Sequence, residues 1–138
     1  MQEAENTRLV QEGFAAFGRG DIETLLGYYA DDIVFHPAYG TASYVPTSGV
    51  RTGKPAVVEF FKTLAETVTF SSFEVEEFIA TGDKVVAFGH YAGTTSVGKT
   101  IETDFAMVTT LKDGKITHFK EFCDSAAINA GFAVAAGV

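Results

Sequence analysis

The pair Asp113-Gly114, set between two runs of alternating apolar residues, constrains this chain more than any other feature. Both residues tolerate positive φ, so they favour the tight turn whose twist matches two antiparallel strands. The pair predicts a hairpin of residues 99–111 with 115–124. Upstream, Thr81-Gly82-Asp83 and Ser96-Val97-Gly98 bracket one further strand, and Phe73-Glu74-Val75-Glu76 alternates into another. The period of two breaks at Glu76-Glu77 before Phe78-Ile79, which predicts a bulge that bends that strand. The second half therefore reads as a meander on one curved, mostly antiparallel sheet.

The first half carries a different period. Leu9, Val10, Phe14 and Phe17 recur at helical spacing, and Gly18-Arg19-Gly20 ends that helix. Asp21 caps a second helix carrying Ile22, Leu25, Leu26, Tyr28 and Tyr29. Ile33-Val34-Phe35-His36 forms a short strand stopped by Pro37, residues 38–52 form a long loop, and Pro55 opens a third helix with Val57, Val58, Phe60, Phe61 and Leu64. Three helices followed by a meander predict an α+β domain with an interior between the layers. The apolar tail (Ala126, Ala127, Ile128, Phe132, Val134) either packs back over the mouth of that interior or forms a dimer contact.

With 138 residues, 46% of them apolar and thirteen of them Phe, the chain has material for a single well-filled domain. Its net charge of −8 repels polyanions, which argues against nucleic acid as a partner. The N-terminus lacks the basic end and apolar run of a signal peptide, and no apolar stretch approaches the roughly 20 residues that span a bilayer. A soluble, cytoplasmic protein without membrane association is expected. One cysteine and three histidines without zinc-type spacing predict no structural metal.

The hairpin turn sets which residues share a face. Pairing Lys112 with Lys115 puts Ala106 opposite Glu121 and Asp104 opposite Cys123, with Val108 and Phe119 on the same side. If this face is concave, Asp104 and Glu121 are two carboxylates in an apolar surface, where burial and mutual repulsion raise proton affinity toward neutral pH. The rival face carries Thr103, Phe105, Met107, His118, Lys120, Phe122 and Asp124 and is comparably apolar. A bulge would exchange the two.

From Gly20-Asp21-Ile22-Glu23 and Tyr29-Ala30-Asp31-Asp32-Ile33-Val34-Phe35-His36-Pro37, through Gly53-Lys54, Phe60-Phe61 and Gly82-Asp83-Lys84-Val85-Val86, to Asp113-Gly114-Lys115-Ile116 and Glu121-Phe122-Cys123-Asp124, the sequence resembles the nuclear transport factor 2-like superfamily. Within it, the sequence is most similar to the SnoaL-like and ketosteroid isomerase-like enzymes. The resemblance implies a cone-like, cystatin-like α+β barrel, three N-terminal helices on a curved mixed sheet, and a homodimer. One such scaffold hosts many activities.

The ketosteroid isomerase resemblance implies a general base just before the proline that ends the first strand, a position held here by His36. Two of its hydrogen-bonding tyrosines correspond to Gly13 and Phe61, and a third is matched by Tyr29. The polyketide cyclase resemblance implies an acid/base carboxylate seven residues past the hairpin glycine, which is Glu121, and a facing histidine whose place is taken by Met107. It also favours the face of the hairpin that carries Glu121 as the concave one.

The expected reaction is therefore cofactor-independent proton transfer beside a carbonyl, either isomerisation or aldol-type ring closure of a small apolar molecule. Glu121 is the expected acid/base, with His36 across the cavity. Tyr29, His90 or Asp104 would bond the oxygen where charge develops. Phe61, Phe88, Phe119 and Cys123 are further expected contacts. Tyr39 and Tyr44 would form a lid over the mouth, and Asp124 lies at the rim, where it caps a tail helix from Ser125. A non-catalytic binding module for an apolar ligand and a homodimeric scaffold are the alternatives. Serine, cysteine and epoxide hydrolases fit poorly. There is no G-x-S-x-G elbow, Cys123 has no histidine partner in sequence, and Arg8, Arg19 and Arg51 occupy no suitable strand position.

Overall fold

The structure is a computed structural model that describes residues 2–134; Met1 and residues 135–138 lie outside the described residues. Helix α1 (Gln2–Gly18) is followed by α2 (Ile22–Gly27), β1 (Tyr29–His36), β2 (Arg51–Thr52) and α3 (Lys54–Thr67). Four long strands follow, β3 (Val68–Thr81), β4 (Lys84–Thr95), β5 (Thr100–Lys112) and β6 (Lys115–Cys123), and the short helix α4 (Ser125–Phe132) closes the order. The sheet runs β2-β1-β6-β5-β4-β3 and is antiparallel except where β1 joins β6. This is the curved mixed sheet with packed helices that the sequence predicts.

Local chemistry explains most boundaries. The Asp21 carboxylate accepts from the Thr24 N–H at 3.1 Å and starts α2. Pro55 occupies the first turn of α3, where its missing N–H costs nothing. Asp113 and Gly114 both have positive φ, 51° and 77°, as a two-residue hairpin turn demands. The strand pairing shifts between Val75 and Glu77, so the bulge expected at Glu76-Glu77 is present.

Two expectations at element boundaries are corrected. Helix α2 stops at Gly27, and Tyr29 opens β1, paired with Ile116, rather than riding on the helix. In the hairpin, Lys112 does pair with Lys115, but a bulge intervenes between Thr110 and Leu111, so Met107 faces Glu121 and Phe105 faces Cys123. The concave face thus combines Thr103, Phe105 and Met107 of β5, the rival set, with Phe119, Glu121 and Cys123 of β6. One extra residue on one strand turns its later side chains over while leaving its partner's unchanged.

Helices α1 and α3 lie against the concave face, and Val10, Leu25, Ile33, Phe35, Val57 and Phe61 are buried among the core residues between them. Helix α4 packs on β4 and β5 and buries Ile128 and Phe132 against the same interior, so the apolar tail folds back over its own domain. Among the described residues, no helix is long and apolar enough to cross a membrane.

Candidate functional site

Between the concave face and the helices lies a cavity of about 120 Å³. Its walls are mainly aromatic. Phe14 and Phe17 come from α1, Phe60 and Phe61 from α3, Phe70 and Phe73 from β3, with Phe35 and Phe119 on the β1–β6 side. Polar side chains are few: Glu121, Tyr91, Tyr29, Thr47 and Thr109. No Lys, Arg or His is among the described lining residues.

Glu121 is only 8% exposed, and its Oε2 accepts a 2.7 Å hydrogen bond from the Tyr91 hydroxyl. Loss of hydration raises the proton affinity of this carboxyl above the ordinary glutamate range. Hydrogen bonds from Tyr91, the Ala38 N–H and the Cys123 thiol pull it down, but less strongly. Tyr91 is itself 6% exposed, and burial followed by the nearby Glu121 charge keeps its phenol protonated, so it stays a donor. Aromatic contacts fix its ring: Phe73 stacks on it at 5.6 Å and 4°, Phe105 at 5.7 Å and 28°, and Phe70 meets it edge-on at 5.5 Å. Gly89 makes room for this packing, since a Cβ there would lie 2.5 Å from Cζ of Phe105.

Cys123 sits beside this pair, and burial first, then the Glu121 charge, push its thiol up to about 12. It is therefore a thiol rather than a thiolate near neutral pH, which makes it a weak donor and a poor nucleophile. At the other end of β6, Tyr29 lines the cavity while only 4% exposed. Burial alone raises its proton affinity, and its hydroxyl has no hydrogen-bond partner among the described residues.

The other expected site residues stand elsewhere. Asp104 projects from the convex face with a side chain 92% exposed, because the unpaired Thr117 of β6 shifts the register and leaves Phe105 and Met107, not Asp104, on the face of Glu121. His90 and Phe88 share that face. His90 Nδ1 meets Asp104 Oδ1 at 2.9 Å and Nε2 meets Glu102 Oε2 at 3.0 Å. His36 follows the inward Phe35 and so points to the opposite side, with its ring 5.3 Å from Tyr39. Tyr39 is half-exposed outside the cavity, in contact with Phe122 and with Lys120 Nζ 4.2 Å above its ring. Asp124 caps α4, accepting from Ala127 N–H at 3.3 Å. Phe61, Phe119, Tyr29 and Glu121 are the expected residues that line the cavity, and the structure brings them together with Tyr91.

Sequence reasoning missed Tyr91. Its signal was the run Ala87, Gly89, Tyr91, Gly93 at alternate positions, one large polar-tipped residue among small ones on a single face. Among the described residues, no group of three or more His, Cys, Asp or Glu is arranged to hold a metal ion.

Residues 10–119 match the SnoaL-like domain. The chain belongs to the SnoaL-like family of the nuclear transport factor 2-like fold. An NTF2-like protein from Burkholderia xenovorans LB400 is 30% identical, with 96% of this chain and 99% of that chain covered, at a TM-score of 0.85. TerC, co-crystallised with polyporic acid, is 27% identical over 93% of this chain and 98% of its own, at a TM-score of 0.82. A candidate polyketide cyclase from Xanthomonas campestris pv. campestris is 19% identical over 96% of this chain and all of its own (100%), at a TM-score of 0.76, and shares the fold alone. No curated protein matches the chain. Glu121 falls two residues beyond the family match, so the match speaks for this SnoaL-like domain's architecture and not for its carboxyl group.

Proposed function

We propose that the cavity of this SnoaL-like domain is the active site of a cofactor-independent enzyme. It would move a proton beside the carbonyl of a small apolar compound, by isomerisation or aldol-type ring closure. The observation that carries this reading is the Glu121–Tyr91 pair, a buried carboxyl held at 2.7 Å by a phenol in an otherwise apolar cavity. A carboxyl whose proton affinity is lifted toward neutral can both take a proton from carbon and return it.

Glu121 would act as the acid/base. Tyr91 is a positioning residue, holding one carboxyl oxygen so that the other is presented to the substrate. The hydroxyls of Thr47 and Thr109 are the donors available to the carbonyl oxygen as charge develops there, while the phenol of Tyr29 stands at the far end of the cavity. His36, His90 and Asp104 have no part in this scheme, since they stand on the convex side. TerC crystallised with polyporic acid supports a small-molecule site in this fold.

The test is conversion of a β,γ-unsaturated ketone such as 3-cyclohexen-1-one to its conjugated isomer, followed by ultraviolet absorbance and by deuterium uptake from D₂O. Wild-type protein is expected to catalyse both, and Glu121→Gln to lose about a hundredfold or more of the rate. Unaltered turnover in Glu121→Gln removes the carboxyl from the mechanism. Ligand binding without exchange in wild type would favour the other reading, a binding module for an apolar ligand, which the cavity's shortage of polar groups supports. The same proposal includes a homodimer through the convex face, supported by Ile79, Phe88 and Phe122 standing exposed there.

A further inference from the structure

The cavity has two polar poles joined by an aromatic wall. Glu121 with Tyr91 forms one. The other is Tyr29, which pairs with Ile116 at the start of β6, while Glu121 lies near its end. At ~3.3 Å per residue their backbones are on the order of 15 Å apart along the strand. Between them the Tyr29 ring lies 6.3 Å from Phe35, and Phe35 stacks on Phe119 at 4.5 Å and 13°. Phe119 shares the face of Glu121, two residues on.

Size and charge restrict what can lie along this wall. Cavities of about 150 Å³ lined by Leu, Ile and Phe take up benzene, and this one measures about 120 Å³. A carboxylate or phosphate on the guest would lose its hydration with no cation among the described lining residues to replace it. The Tyr29 phenol, in a residue 4% exposed and with no protein acceptor among the described residues, is a donor that an oxygen on the guest can engage.

We infer that the site selects a neutral, single-ring compound with an oxygen function at each end, one engaging Glu121 and the other Tyr29. This rests on the reading of the cavity as a small-molecule site, but not on proton transfer taking place there.

The experiment is calorimetric titration of the full chain with 4-hydroxyacetophenone, acetophenone, 4-hydroxybenzoate and the four-ring ketone androstenedione, at mildly acidic pH where the phenols are neutral. Expected is binding in the order 4-hydroxyacetophenone, then acetophenone, with none for the ionised benzoate or the steroid. Tyr29→Phe should weaken 4-hydroxyacetophenone about fivefold to tenfold, the size of one neutral hydrogen bond, and leave acetophenone unchanged. Retained acetophenone binding also shows that the variant is folded. Tighter binding of the steroid or the benzoate overturns the inference, as does an equal loss of both acetophenones in Tyr29→Phe. The two proposals fail separately. Ring and Tyr29 selectivity without deuterium exchange would sink proton transfer alone, whereas exchange confined to polycyclic ketones would sink the single-ring inference alone.

Discussion

The two faces of the sheet each hold a titratable group with raised proton affinity, and they reach that state by opposite routes. On the concave face Glu121 is raised by loss of water, because burial disfavours its anion. On the convex face His90 is raised by gain of partners, first the hydrogen bond its ring donates to Asp104, then that to Glu102, at a partly exposed position. Glu74 adds a third carboxylate directly across the strand pair. Burial makes a group reactive and dependent on its few neighbours; exposure makes it screened and replaceable.

The comparison breaks first, and by the largest margin, in activity. Glu121→Gln should lower the 3-cyclohexen-1-one isomerisation rate by about a hundredfold or more, while His90→Gln leaves it unchanged. A comparable loss in His90→Gln would mean that the convex face takes part in the chemistry.

Next comes Tyr91→Phe. It removes a buried hydrogen bond to a carboxyl, and urea denaturation should show about 1–3 kcal/mol of lost stability. Because the Tyr91 hydroxyl lowers the proton affinity of Glu121, its removal should shift the acidic limb of the rate–pH profile upward. A limb that stays in place would show that Tyr91 does not govern the carboxyl.

A smaller effect separates the two routes by pH. Glu121 has a folded-state pKa above its ordinary 4.5, so the native state binds the extra proton. Stability is therefore highest below about 4.5 and falls as pH rises through the folded value, then levels off. Glu121→Gln should abolish that decline in a pH series of urea midpoints.

The smallest effect belongs to His90. Its folded-state pKa lies above the ordinary 6.5, so its contribution is fully present below that value and is lost as pH rises through the folded one. High salt should erase the His90 step and leave the Glu121 decline standing, since ions screen exposed pairs and not a desolvation cost. Equal salt sensitivity of both would mean that Glu121 is more hydrated than its burial indicates.

The bulge between Thr110 and Leu111 explains why the site was only partly legible beforehand. Asp104, Ala106 and Val108 on one side of β5 and Thr103, Phe105 and Met107 on the other are similarly apolar, so alternation could not choose between them. Glu121 was legible because its strand has a single acidic inward candidate at the family's position. Tyr29 was placed correctly as a contact but on the wrong element, since the short stretch after Gly27 suits the end of a helix and the start of a strand about equally. Tyr91 escaped notice because its neighbours Phe88 and His90 carry stronger chemical signals and happen to face outward.

By itself the sequence determined what is local: helix caps at Asp21 and Asp124, the hairpin turn at Asp113-Gly114, the bend at Glu76-Glu77, and from these the α+β order of a SnoaL-like domain. Each rests on dihedral preferences or hydrogen bonds within a few residues. Only the tertiary structure decided which side chains share the cavity. That depends on one unpaired residue in a strand pairing and on the competition of two apolar faces for the same helices. Burial, and with it the proton affinity of Glu121, is a property of everything packed around a residue and not of the residues next to it in the chain.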